Sequence, residues 1–249
     1  MPAVDWVTDF YTRTGDWWGG AEAKVTNTDH QRAARVRAHA SRAGALWVLE
    51  LGCGYGGAAV ATAMAGHTVT AVELTGRAEH IARLAAEHHV TPTLVRGDFY
   101  TADPGTGFDA VTYWDGFGVG SDTDQRRLLN RIACDWLAPG GVALIDVYNP
   151  FDWAARHGKR EHRDARPGEG YPAELDRLFT FDQHSCTAID TWWETARPKR
   201  RISQRLRCYT PADLALLLTG TGLRLDATHP PLDPDDFSYL AVLRPADQT

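Results

Sequence analysis

Val48-Leu49-Glu50-Leu51-Gly52-Cys53-Gly54-Tyr55-Gly56-Gly57 passes from an apolar run into a glycine-dense turn, and residues 58–64 beyond it carry helical periodicity. The segment therefore reads as strand, turn and helix. Glycines at such a turn adopt positive φ and let the backbone pass close to a ligand. Taken alone the pattern is ambiguous. Gly52, Gly54 and Gly57 also fit the G-x-G-x-x-G spacing that seats a dinucleotide diphosphate on a helix N-terminus, and a tight connection with no ligand is the plain alternative.

Outward from this turn, short β-branched runs alternate with longer amphipathic stretches, the pattern of βαβ units in a mostly parallel sheet. Strands are expected at residues 46–51, 68–73, 93–96, 109–114 and 142–148, and helices at 58–64, 77–88 and 123–136. Ser121 or Asp122 can cap the last of these helices, and Leu137-Ala138-Pro139-Gly140-Gly141 stops it and turns into the fifth strand. The fold class is α/β: a doubly wound, seven-stranded, mostly parallel sheet with an antiparallel last strand.

The flanks have another character. Residues 5–11 and 29–40 look helical, and the turn-prone Gly15-Asp16-Trp17-Trp18-Gly19-Gly20 between them suggests a hinged lid. After the fifth strand a polar connection, 152–170, leads to antiparallel strands at 179–186, 189–195 and 202–209, with Arg197-Pro198-Lys199 turning between the last two. Thr210-Pro211-Ala212-Asp213 opens a helix with a cap, a first-turn proline and an acid suited to the macrodipole. Strands at 223–228 and 237–244, joined by a Pro/Asp-rich turn, complete the sheet. The chain thus divides into an N-terminal helical lid (1–44), a cofactor-binding core (45–150), a substrate-binding β insertion (151–209) and a C-terminal completion of the sheet (210–249).

Composition narrows the partners. In 249 residues, 43% are hydrophobic and the formal charge is −6, which disfavours nucleic acid and anionic membranes. No run of about 18 apolar residues occurs and the first ten residues show neither a secretory nor a basic transit pattern. The four cysteines lack metal-ligand spacing and read as free thiols, so the expected location is the cytoplasm. Oligomeric state stays open, a homodimer included.

Three acids sharpen the glycine turn. Glu50 precedes it by two residues, where a carboxylate meets a cationic group and repels a diphosphate. Glu73 ends the second strand, placed for two ribose hydroxyls, and Asp98 follows the third, placed for an exocyclic amine with Phe99 against a base. All three stand at carboxyl ends of successive parallel strands, where such sheets bind ligands.

On Glu50–Gly56, the acidic end of strand two, Gly97-Asp98-Phe99, Phe108-Asp109-Ala110-Val111 and Leu137–Gly141, the chain resembles the class I S-adenosylmethionine-dependent methyltransferases of small-molecule type. The resemblance implies S-adenosylmethionine as cofactor and S-adenosylhomocysteine as product. It implies that Gly52, Gly54 and Gly56 admit the methionine part and Glu73 holds the ribose. Leu74 and Phe99 would flank the adenine, Asp98 would take its amino group, and a carbonyl at Tyr113 or Trp114 would meet the ammonium. The rival NAD(P)-dependent oxidoreductase lacks Tyr-x-x-x-Lys. A non-methylating cyclisation or elimination on the same cofactor is a further alternative.

A sulfonium methyl is already electrophilic, so the protein must mainly align a nucleophile, exclude water and accept a proton. Asp115, one residue past the fourth strand, is the first candidate for that base, with a turn acid as the plain alternative. The loop lacks the Asn/Asp-Pro-Pro-Tyr/Phe of nucleic-acid amine methylases, and no cysteine follows a proline, which points to an N or O atom of a small metabolite, with specialised metabolism as one setting for it. Tyr11, Trp18, Phe117, Tyr148 and Trp153 are candidate substrate contacts. Trp192-Trp193 lies in a strand, where alternation turns one ring inward. No metal is expected, since Asp115, Asp146 and Asn149 make a poor octahedral set. The basic run 156–163 reads as a solvated loop, with a seat for a carboxylate or phosphate on the acceptor as the alternative, and His30, His157, His162 and His184, which carry no visible partner, are alternative bases to Asp115.

Overall fold

Along the fifth strand Ala143, Ile145 and Val147 fall in one buried cluster and Val142 and Leu144 in another. Both faces of the strand are apolar, which requires a helical layer on each side. The computed structural model, which describes residues 6–229 and 236–246, supplies those layers.

Helices α1 (Trp6–Glu22) and α2 (Asn27–His39) precede β1 (Trp47–Leu51), α3 (Gly57–Met64), β2 (Thr68–Glu73), α4 (Glu79–Glu87), β3 (Thr93–Arg96) and β4 (Phe108–Tyr113). Next come α5 (Asp122–Arg131), β5 (Leu137–Tyr148), α6 (Pro150–Ala155), β6 (Arg160–Arg163), β7 (Leu175–Asp182), β8 (Thr187–Glu194) and β9 (Ile202–Arg207). Helix α7 (Pro211–Leu218), β10 (Leu223–His229) and β11 (Ser238–Pro245) close the chain.

The main sheet has the order β10-β11-β5-β4-β1-β2-β3, parallel except for β11, which runs antiparallel to both neighbours. Leu128, Leu129, Leu214 and Leu217 of α5 and α7 cover one face, and Val36, Ala58, Ala59 and Ile81 of α2, α3 and α4 the other. The expected α/β class, with a seven-stranded, mostly parallel sheet and an antiparallel last strand, therefore holds. The Pro/Asp-rich turn before β11 and the residues before Trp6 lie outside the described residues.

The strand expected at 179–186 runs four residues earlier, as β7, and residues 183–186 form the turn into β8. Three other local expectations fail for a tertiary reason. Helix α1 runs straight through Gly15–Gly20. A Cβ on Gly19 would stand 3.3 Å from the Tyr55 ring and one on Gly15 3.6 Å from Arg77, so small residues let the helix cross these side chains, and packing overrides a weak intrinsic preference. The connection 152–170 is not plain loop: Asn149 caps α6, its side chain accepting from Phe151 N at 3.0 Å ahead of a first-turn proline, and β6 adds a fourth strand to the second sheet. The strand expected from Val142 begins at Leu137, paired with Phe108 ahead of an irregularity in the ladder.

The second sheet, β6-β7-β8-β9, is wholly antiparallel. Its register places Arg163, Arg177, Trp192 and Gln204 on one face, because pleated side chains alternate. That face meets α1, with Phe10 and Trp17 buried against Leu175, Trp192 and Ile202. Sheet and helix together roof the carboxyl ends of the parallel strands.

Candidate active site

Under this roof lies a cavity of about 600 Å³. Its floor begins at the glycine turn. Gly52, Gly54 and Gly56 all have positive φ, at 58°, 56° and 85°, a region costly for any residue with a Cβ. Their surroundings differ. A Cβ on Gly52 would stand 3.2 Å from Tyr113, one on Gly54 would meet open space, and one on Gly56 would lie 2.4 Å from Ile81. Gly52 and Gly54 line the cavity, whereas Gly56 permits close packing of α3 on α4 and stands off the cavity wall.

The strand ends carry carboxylates that the backbone pins. Glu73 accepts from Gly54 N at 2.9 Å through one oxygen, and from Thr75 N at 2.8 Å and the Thr75 hydroxyl at 2.7 Å through the other. Asp98 accepts from Tyr100 N at 2.8 Å. Both face the cavity, as do Leu74, Phe99, Tyr113 and Trp114. Glu50 is 2% exposed and also lines it. Burial pushes its pKa up to about 8, with Arg32 opposing the shift.

The loop after β4 bears Asp115 at φ 54°, an uncommon conformation for a residue with a side chain. Tyr148 holds this backbone by donating from its hydroxyl to the Asp115 carbonyl at 2.8 Å. Arg32 of α2 donates to the Asp115 carboxylate and, at 3.1 Å, to Asp146, and lies over the Trp114 ring with its Cζ 5.3 Å from the centroid. The guanidinium thus bridges two of the three groups weighed above as metal ligands, and the third, Asn149, caps α6. Burial beside Asp115 raises the Asp146 pKa to about 6. Strand β9 straps the same loop, with Arg207 N donating to Gly118 O at 2.8 Å.

Tyr11 and Trp18 reach the cavity from α1, and Arg177 and Trp192 from the second sheet. Tyr11 donates to Gln204 at 3.2 Å, Gln204 donates to the buried Asp190 at 2.9 Å, and Arg177 grips both Asp190 oxygens at 2.7 and 3.0 Å. Arg77, after β2, donates to the Tyr11 carbonyl at 3.0 Å and to Thr14, fastening α1 over the site.

Three expected substrate contacts stand elsewhere. Phe117 is fully buried against Tyr113 and Tyr209, Trp153 fully buried among Tyr148, Phe179 and Phe237, and Tyr148 supports Asp115 from behind. None of the three lines the cavity, because closeness to a strand end does not tell which way a ring turns. Trp192 faces the cavity while Trp193 packs on the opposite face under Arg201, as alternation requires. Sequence reading missed Arg32, Arg77, Arg177, Asp190 and Gln204, and met Arg163 only as part of the basic run 156–163. Each gains its role from a partner on another element, so no local pattern marks it.

The arrangement fits an adenosyl sulfonium nucleoside. Glu73 offers acceptors for a diol, Asp98 for an amine and Glu50 for an ammonium, while Leu74 and Phe99 supply apolar surface for a base. A diphosphate would face all three acids. Residues 48–141 match the family described as a methyltransferase domain. The chain is similar to the cypemycin N-terminal methyltransferase of a Streptomyces species, 31% identical over 138 residues, covering 55% of this chain and 53% of that protein. It thus spans about half the length of that relative. In fold it is similar to the CcbJ methyltransferase from Streptomyces caelestis, with TM-score 0.75 and 23% identity over 94% of this chain and 96% of that one. The S-adenosylmethionine-bound amino pentose methyltransferase CalS10 from Micromonospora echinaspora gives TM-score 0.58 and 23% identity over 87% and 89%. Among the described residues no helix is long and apolar enough to cross a membrane.

Proposed function

We propose that the protein methylates an amine nitrogen of a small natural-product-type metabolite, using S-adenosylmethionine and releasing S-adenosylhomocysteine. The observation that carries this reading is the convergence of Glu50, Glu73 and Asp98 on one cavity beside a glycine backbone. When bound, the cofactor supplies a methyl group on a positively charged sulfur. The chain's own part is alignment, enclosure and proton handling.

Nitrogen is favoured over oxygen by Asp115, the acid that approaches the acceptor end of the cavity on the loop after β4 and attracts an amine. The cypemycin and amino pentose enzymes, whose names specify an N-terminus and an amino sugar, support the same choice. Asp115 is the proposed proton acceptor as the N–C bond forms and the C–S bond breaks. Its side chain stays 56% exposed even with Arg32 attached. Tyr11, Trp18 and Trp192 would hold the acceptor and keep water out.

The test compares S-adenosylhomocysteine, NAD⁺ and NADP⁺ in thermal denaturation. A ligand at about 100 times its Kd adds roughly 2.7 kcal/mol of stability. Stabilisation by the first alone is expected, followed by methyl transfer from labelled cofactor to amines. Stabilisation by a nicotinamide coenzyme instead would overturn the reading.

A further inference from the structure

Five arginines line the main cavity, and four spend their donors on the protein. Arg32 bridges Asp115 and Asp146, Arg77 holds the Tyr11 carbonyl and Thr14, and Arg127 donates to the Tyr100 carbonyl at 3.2 Å. Arg177 is bidentate on Asp190. Arg163, at the end of β6, differs. Among the described residues none accepts a hydrogen bond from its guanidinium, which instead stacks on two indoles, with Cζ 5.0 Å from the Trp192 centroid and 5.9 Å from that of Trp18. The two indoles meet edge to face at 5.2 Å.

Stacking uses the face of a guanidinium and leaves its edge, with paired N–H donors, free for a planar oxyanion. Arg163 and Trp18 also form the join between the main cavity and an adjoining hollow of about 280 Å³ that contains Asp164. A ligand reaching Arg163 from the cofactor end must be elongated, because these walls belong to α1 and the second sheet rather than to the strand ends. It must also carry little negative charge, since Asp164 lines the hollow and Glu22 lines the main cavity. A dianion would add to these charges, whereas a monoanion is offset by Arg163.

We infer that the methyl acceptor bears a carboxylate at the end remote from its reacting amine, and that Arg163, presented on the Trp18–Trp192 platform, is the residue that selects it. This rests on the methyltransferase reading for the identity of the acceptor, while the carboxylate preference is measurable without methyl transfer. Arg163 thereby becomes a specificity-determining residue within the basic run 156–163.

The experiment is isothermal titration of 4-(aminomethyl)benzoate and 4-(aminomethyl)benzamide into the full chain saturated with S-adenosylhomocysteine. The two probes share shape and amine and differ in the charge at the far end. The acid is expected to bind at least about tenfold more tightly, the scale of a charge-assisted hydrogen-bonded pair. Arg163→Gln should bring the acid to the level of the amide, and Arg163→Lys should restore part of the difference by returning charge without the planar fork. Equal affinity of acid and amide for the unaltered protein, including no measurable binding of either, would overturn the inference. So would a preference that survives Arg163→Gln. Binding of S-adenosylhomocysteine is recorded separately in each protein, so failure there counts against the methyltransferase reading, not against Arg163.

Discussion

At the cofactor end of the cavity Glu73 and Asp98 are held by backbone N–H groups two residues further along, those of Thr75 and Tyr100. At the acceptor end Tyr11 meets a glutamine 193 residues away and Arg32 a carboxylate 114 residues away. One half is made from strand ends that carry their own supports. The other is assembled by clasping a helix and a second sheet onto the first. A site of the first kind keeps its shape whenever the strands form, because its hydrogen bonds close short loops with little entropy to overcome. A site of the second kind depends on the packing of separate elements, so changes there should alter acceptor handling and leave the cofactor half intact.

The largest expected effect tests whether the cofactor half is built for a cation. Glu50 loses its proton near 4.5 in the unfolded chain and near 8 when folded. Between those values the folded state holds more protons, so stability is full below about 4.5 and falls as pH rises toward 8. Glu50→Gln should remove most of this decline, on the order of 3–5 kcal/mol across the window, read from urea midpoints at several pH values. Asp146, raised to about 6, adds a smaller decline of the same sign that persists in the variant. An unaltered profile in Glu50→Gln would mean that the carboxyl is not desolvated.

Next comes Gly56→Ala, which forces a Cβ to within 2.4 Å of Ile81 at φ 85°. A loss of about 2–4 kcal/mol in urea denaturation is expected from strain and overpacking together. A loss below half that range would show that α3 and α4 can separate. Glu73→Ala should weaken S-adenosylhomocysteine by about 1.5–3 kcal/mol, the range for hydrogen bonds to a charged group. Unchanged affinity by calorimetry would remove Glu73 from the binding site.

The smallest effect addresses the clasp. Gln204→Ala deletes the link from Tyr11 to Asp190 while Arg177 keeps its grip on the acid. Stability should drop by about 1 kcal/mol, and S-adenosylhomocysteine affinity should stay within about twofold, since no cofactor-half residue loses a partner. If cofactor affinity fell as far as in Glu73→Ala, the two halves would be coupled and the contrast drawn above would fail.

Legibility in the sequence followed the same division. Strands β2 and β3 match their expected limits to the residue, and Glu50, Gly52, Gly54, Glu73, Leu74, Asp98, Phe99, Tyr113 and Trp114 all stand on the cavity. Each is read from a strand end whose side-chain direction follows from period-two alternation and the glycine turn. The acceptor half was less legible. Tyr11, Trp18 and Asp115 reach the cavity, but Phe117, Tyr148 and Trp153 are packed behind it. The cap at Asn149 followed by Pro150 was an available signal for α6.

From the order of residues alone come the parallel sheet, the glycine turn and the acids at its edge. These depend on interactions within a few residues and on a periodic apolar pattern that admits one layered solution. Tertiary structure alone decided that α1 passes unbroken over Tyr55, that Arg32 joins Asp115 to Asp146, and that Arg163 stands unengaged between two indoles. A side chain's partner across a hundred residues is chosen by how layers pack, and local pattern carries no record of that choice.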